Sequence, residues 1–438
     1  MTKHLLTALF LFLLLFSGCP DSGVNPPPNP LGLTVENVTS TQVFLNLSLD
    51  QSETNRTVTL KRGDSTIFSN LRLPTSDTLV VDEGLLPNKT YTYTLSYLGF
   101  IATAQATTQD TTSHAVQWQV PDTLGAQGLI RDCWIFSRDN AWAVGEIYLA
   151  DSTGKPDMAN PYNAAHWDGN KWEVKQIMFY TVCGQQHRTA YPISSIFAFS
   201  NSDIWFAVYG DQVVRWDGNT QTSTMCMPVS FTISKIWGES SNSVYAVGNS
   251  GIVVHYTNGT WTKMESHTSV DLQDIWGIDD SHVWATGTTA SDGHSVVLQY
   301  DGKQWTTIYD NSNATPSKLF YFNTVWTDNV NYLYLDGGGL HKLATTNNNY
   351  IGPQIITGQT YPSYRIRSTS QRDMFDTGQA SEVAHFNGVS WYLYPELKAI
   401  NDGFAWFYSA YPTKDFILIG GVSLTSLNGV PIVIRGYR

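Results

Sequence analysis

Three histidines, His166, His255 and His385, are the side chains in this sequence best suited by type to hold a metal ion, and each stands directly before an aromatic residue. Imidazole nitrogens bind zinc when three or four ligands converge. Arg215 and Gln299 fill the same place before Trp216 and Tyr300. The five positions are therefore equivalents in successive copies of a repeat, held in separate units, and they read as strand residues rather than a metal set. Carboxylate pairs such as Asp279-Asp280 fall in polar turns, where Asp is favoured for bonding its own backbone. Glycoside hydrolysis would need two carboxylates roughly 5 to 10 Å apart across a cleft, and spacing in sequence places no such pair. Neither a G-x-S-x-G elbow nor a phosphate-binding glycine loop is present. No catalytic residue, metal or cofactor is assigned.

The four cysteines are Cys19, Cys133, Cys183 and Cys226. Cys133 stands where other repeats carry Ile, which reads as a small buried apolar side chain. Cys183 and Cys226 lie in connections or outer strands and can form one disulfide in an oxidising compartment. Cys19 ends a segment with Lys3, an apolar run from Leu5 to Phe16, and Ser17-Gly18. That is the pattern of an export signal, too short for a membrane span. Leu15-Phe16-Ser17-Gly18-Cys19 resembles the bacterial lipobox, with Phe16 where Leu is usual. The resemblance implies a signal peptide over 1–18, a diacylated Cys19, and a protein fixed to the membrane by its N-terminal lipid. The location it implies is the cell envelope, at the outer membrane or cell surface; ordinary secretion is the alternative. Residues 19–30, rich in Pro, Asn and Gly, suit a spacer.

With 438 residues, two or three folded units are expected. Apolar residues make up 42%, aromatics 13% and charged residues only 14%, a composition that favours strands. The net charge of -12 opposes a nucleic-acid partner, because duplex binding needs cations to displace counterions.

Between 31 and 108, short alternating runs such as Val43-Leu45-Leu47 and Tyr91-Tyr93-Leu95 predict about seven strands and a sandwich. Leu86-Pro87-Asn88-Lys89-Thr90-Tyr91 resembles the tyrosine corner of fibronectin type III domains, which implies that the Tyr91 hydroxyl bonds preceding backbone. Arg62-Gly63-Asp64 reads as a hairpin turn.

From residue 129 a block recurs: an aromatic residue, a polar turn, an aromatic eight positions later, and Gly three beyond. Trp134, Trp142 and Gly145 fit it, as do Trp237, Tyr245 and Gly248, and Trp276, Trp284 and Gly287. Phe375 and Gly378 fit without the first aromatic. A second block follows each, as in His166-Trp167-Asp168-Gly169 with Trp172. The period of 40 to 50 residues is one four-stranded propeller blade. The first aromatic is expected to begin the innermost strand, the second to face the neighbouring blade, and Asp-Gly to make a tight hairpin. Thirteen of the 15 tryptophans fall on these registers, so most are packing residues.

The expected fold is all-β: an N-terminal fibronectin type III-like sandwich, with a generic immunoglobulin-like sandwich as the alternative, followed by a seven-bladed β-propeller over 115–438, with six or eight blades as alternatives, whose last blade is closed by residues 115–120 carrying Trp118. The repeats resemble bacterial extracellular propellers of the glucosyltransferase-like and photosystem II assembly factor-like kinds.

Repeats set the scaffold, so binding is sought in the segments that break them. These are Ile147 to Asn163, Phe179 to Pro192 with His187 and Arg188, Asn311 to Lys318, and Asn347 to Tyr364; Trp406, off register, is the remaining aromatic candidate. The functional reading is a non-enzymatic envelope binding or adhesion protein with a glycan or protein ligand. A carbohydrate-active enzyme using the propeller face is the alternative.

Overall fold

The computed structural model describes residues 29–50, 56–73, 77–289, 291–312, 321–345, 350–354, 359–425 and 429–438. Cys19 and the leader lie outside them, as do most of 311–318 and 347–358. Two compact units form, the first from the strands between Leu31 and Thr107, the second from Thr108 onward. Among the described residues no helix is long and apolar enough to cross a membrane.

The first unit has two antiparallel sheets. One contains Leu31–Val38, Gln42–Leu49 and Asp77–Glu83; the other contains Ser65–Arg72, Thr57–Arg62, Thr90–Tyr97 and Phe100–Thr107. Strand side chains alternate between faces, so Leu45, Leu47, Val58, Leu60, Tyr93 and Leu95 are buried together. Tyr93 is buried in this core. Its hydroxyl donates to the carboxylate of Asp82 at 2.8 Å. Arg62 and Ser65 pair across a two-residue turn in which Gly63 has φ 56°. The Arg62 guanidinium is held by Asp82 at 2.8 and 2.9 Å, so the Arg-Gly-Asp tripeptide is a turn beside an ion pair.

The second unit is a series of sheets. Their innermost strands are Gln127–Ser137, Ile193–Ser200, Ile233–Ser240, Leu272–Asp279, Phe322–Trp326, Ser363–Ser368 and Ala405–Pro412. Each begins an antiparallel sheet whose strands follow chain order outward; in the first sheet these are Asn140–Tyr148, Tyr162–Trp167 and Trp172–Lys175. Successive innermost strands are neighbours, and the first also neighbours the seventh. The seventh sheet runs Ala405–Pro412, Phe416–Ser423, Val430–Tyr437 and then Gln117–Trp118, with Trp118 opposite Gly436.

The repeated aromatics are cross-strand partners. Trp134 faces Trp142, Phe197 faces Trp205, Trp237 faces Tyr245, Trp276 faces Trp284 and Trp326 faces Tyr334. The first aromatic does not begin the innermost strand, as the spacing suggests, but lies in its second half: Trp237 is in Ile233–Ser240 and Trp326 ends Phe322–Trp326. A bulge earlier in each strand breaks the apolar alternation and hides the strand's true start. The second aromatic does reach the next sheet, Trp142 meeting Phe206 and Trp216, and Trp205 meeting Tyr256 and Trp261.

The Asp-Gly turns also differ from expectation. Trp167 pairs with Trp172 across four residues, not two, and the Asp168 carboxylate accepts the Asn170 and Lys171 N–H groups while Gly169 takes φ 92°. Asp217 and Asp301 close the same loop. Only in the third sheet, among the described residues, does the two-residue form occur, with Asn258 and Gly259 at φ 51° and 84°.

Candidate functional site

The first half of each innermost strand carries a residue with no partner on the second strand, at one and the same register. Ile130 pairs with Gly145 and Asp132 with Val144, so Arg131 is extra. The same step leaves Ser194, Ser234, Gln273, Asn323, Tyr364 and Tyr408 unpaired in the other six strands. A bulge re-aims the extra side chain. The repeat glycine sits beneath it: a Cβ on Gly145 would strike the Leu129 carbonyl, and one on Gly248 the Thr232 carbonyl. Close approach of the two strands therefore explains a glycine that the motif shows only as a spacing.

The seven bulged residues line a single cavity of about 260 Å³, joined by Tyr209 and Arg365. The lining mixes Arg and Tyr with Gln, Asn and Ser, and holds no carboxylate. The Arg131 guanidinium lies 4.7 Å from the Tyr209 ring centre, Tyr364 packs on Tyr408 at 4.9 Å, and Gln379 donates to the Tyr364 hydroxyl at 2.8 Å. Burial raises the phenol of Tyr408 to about 12, with the neighbouring Tyr364 adding to the rise and Arg131 opposing it, so it remains a neutral donor at physiological pH.

The next residue of each innermost strand forms a buried polar layer under this cavity. Asp132 and Lys235 are ion-paired, and Asp132 also accepts from the Ser195 hydroxyl and the Ile196 N–H, both at 3.0 Å, and from Ser409. Asp274 repeats the arrangement three sheets on, accepting from the Thr324 hydroxyl at 2.7 Å and the Val325 N–H at 3.0 Å. Arg365 and Arg367 both reach Asp274 at 2.6 Å. Burial works to raise both carboxyls, but the facing cations outweigh it and hold them below the usual range. Lys235 is drawn down to about 8 by burial, against the pull of Asp132.

Two residues further on lies an aromatic layer, with Trp134 packed on Phe197 at 4.8 Å and on Tyr411 at 4.6 Å. The missing aromatic of the sixth sheet is replaced by Arg367, whose guanidinium stands 4.9 Å from the Trp276 ring centre. These two layers lie beneath the cavity, which is thus a well with a floor.

Of the residues singled out from sequence, Tyr364, which ends the segment from Asn347, lines this well, whereas Trp406, His187 and Arg188 do not. Trp406 lies beside it, 6.4 Å from the ring of Tyr364. His187 and Arg188 sit on a small hairpin, Phe179–Tyr180 with Arg188–Thr189, where Arg188 covers the Tyr180 ring at 4.5 Å and donates to its hydroxyl; neither lines the cavity. Cys183 in that hairpin and Cys226 on the outer strand of the second sheet are joined in a disulfide, with Cα atoms 6.1 Å apart. Cys133 is buried and free. His166 bonds Asn140, His255 bonds Ser243 and His385 bonds Asp373, each within its own sheet. Among the described residues no three metal-binding side chains converge. Sequence reading missed the bulged residues other than Tyr364, although each stands three positions before the first aromatic or its replacement.

No family model matches the chain, and no curated protein matches it. Solved structures do. YCF48 bound to D1 peptide superposes with a TM-score of 0.51 at 14% identity, covering 73% of this chain and 97% of that one. YCF48 from Cyanidioschyzon merolae gives 0.51 at 12% identity, over 74% and 98%. The WD40 β-propeller domain of Doa1 gives 0.49 at 12%, over 73% and 97%. At these identities the YCF48 likeness is one of fold, and the repeat region is a β-propeller.

Proposed function

We propose that this chain is a non-enzymatic binding protein that seats a protein or peptide ligand at the well in the centre of its propeller. The observation that carries this reading is the set of bulged residues: one per innermost strand at one register, converging on one cavity, yet varied in type where the aromatic layer three positions on repeats. A scaffold needs repetition, while recognition needs distinct side chains at fixed points. The likeness to a YCF48 propeller solved with a D1 peptide supports a peptide ligand ahead of a glycan. A carbohydrate-active enzyme would need the carboxylates that the cavity lining lacks.

The remaining parts follow in the same reading. The seven sheets are the blades of one ring, with residues 115–120 completing the last. The first unit is a fibronectin type III-like spacer, and Cys19 carries the lipid that holds the protein in the cell envelope. Replacing Cys19 with Ala abolishes incorporation of labelled fatty acid; unchanged labelling removes the anchor from the proposal.

The binding reading is tested with a photo-crosslinking residue in place of Tyr209, and of Asn219, which lies in the turn after the next strand, Gln212–Trp216, and does not line the well, in the full chain exposed to envelope extract. Peptide adducts at Tyr209 and none at Asn219 are expected. Adducts equal at both positions, or carrying sugar alone, overturn it.

A further inference from the structure

The charges under the well do not balance. Lys235, Arg365 and Arg367 face only Asp132 and Asp274, all five withdrawn from solvent, with side-chain exposures of 12% or less. One positive charge is in excess. Arg131 on the rim adds a second and makes no ion pair among the described residues. An uncompensated buried charge is costly, and this one lies beneath an opening whose lining has no acid, in a chain of net charge -12. Protein-wide electrostatics thus repel anions, while this one point draws them.

Resting on the peptide-binding reading, we infer that the well recognises a carboxylate of the partner segment, seated against Arg131 over the excess charge of the layer below. The size of the cavity agrees, since 260 Å³ lies under the range that takes a drug-sized molecule and suits one inserted side chain or chain end. Tyr364 and Tyr408 give flanking apolar faces with hydroxyls at their tips, the lining that holds a short peptide around one charged group. An acidic side chain and a C-terminal carboxylate share this chemistry, and the experiment separates them.

Three labelled heptapeptides are titrated against the full chain by fluorescence anisotropy. The first has a central glutamate between two phenylalanines and an amidated end; the second has glutamine in its place; the third is the glutamine peptide with a free C-terminal carboxylate. The glutamate peptide is expected to bind about tenfold or more tightly than its glutamine twin, the difference expected of one charge-assisted bond, and to weaken as salt rises. Arg131→Gln removes that advantage, so that the glutamate and glutamine peptides bind alike, while Arg131→Lys retains part of it. Matching melting curves of both variants exclude misfolding. Preference for the third peptide alone supports the inference with the chain end as the source. Equal binding of all three overturns the carboxylate inference and leaves peptide binding standing. If none binds, or glucuronate and inorganic sulfate bind and no peptide does, both readings fall.

Discussion

Arg367 holds Asp274 with both terminal nitrogens, at 2.6 and 3.0 Å, while its guanidinium lies over the Trp276 ring, 4.9 Å from its centre. One side chain thus fills an aromatic register and neutralises a buried acid from another sheet. The stacked, forked guanidinium does both where a lysine could not.

Asp274 is therefore expected to be among the most sensitive positions in the propeller. Asp274→Ala leaves Arg365 and Arg367 buried without their anion, at a cost of about 3–5 kcal/mol. Combining it with Arg367→Met costs less than the two changes taken separately, because the pair interacts directly. Urea denaturation of the single and double variants measures this; strict additivity rules out the coupling.

The aromatic frame was legible because Trp134 and Trp142, like Trp237 and Tyr245, are registered partners across two strands, and a hairpin fixes their spacing. The Arg367 exception was visible only as a gap in the pattern. The well was not legible for a physical reason. A bulged residue belongs to neither face of the strand, so alternation carries no information about it, and Arg131, Gln273 and Tyr408 share no chemistry. What they share is a distance of three residues before Trp134, Trp276 and Tyr411. Trp406 attracted notice by being off register, yet the well uses its neighbour Tyr408.

A second buried acid should respond to pH in the opposite sense from Asp274. Burial, with the charge of Glu382 added, lifts Asp376 from its ordinary 3.8 to about 7, against hydrogen bonds from Ser363 and Gln359 that pull it down. Asp336 is pushed up as well, by burial and by Asp376. The folded value of Asp376 lies above the unfolded one, so the folded state binds more protons between pH 4 and 7. Stability from this site is complete below about pH 4 and is lost as pH rises through 7. Asp376→Asn is expected to stabilise the protein by about 1–3 kcal/mol at pH 8.5 and to change little at pH 4. Equal effects at both pH values would falsify the assignment.

The disulfide ties the hairpin bearing His187 and Arg188 to the second sheet across a separation of 43 residues. Loop entropy assigns such a link about 4 kcal/mol in the chain-entropy model. Replacing Cys183 and Cys226 together with Ser should lower the melting temperature and raise hydrogen exchange over 179–189, with peptide binding at the well retained. Loss of binding would move the hairpin into the site.

The outermost position of the seventh sheet sets the last test. Trp118 lies opposite Gly436, where a Cβ would come within 2.6 Å of the indole, and its ring meets Tyr394 at 5.1 Å and Phe375 at 6.5 Å. A segment from before the first sheet therefore packs against the sixth and seventh together. If this contact completes the ring, Trp118→Ala removes a half-buried ring at about 3 kcal/mol, and Gly436→Val displaces the strand with a comparable loss. Deleting 115–120 bares the end of Val430–Tyr437 that Gln117–Trp118 covers, beyond the stretch paired with Asp122–Thr123, and opens it to pairing with other chains, so concentration-dependent association accompanies the fall in melting temperature. A deletion variant that melts like the wild type and stays monodisperse removes residues 115–120 from the ring and leaves Val430–Tyr437 as its natural edge.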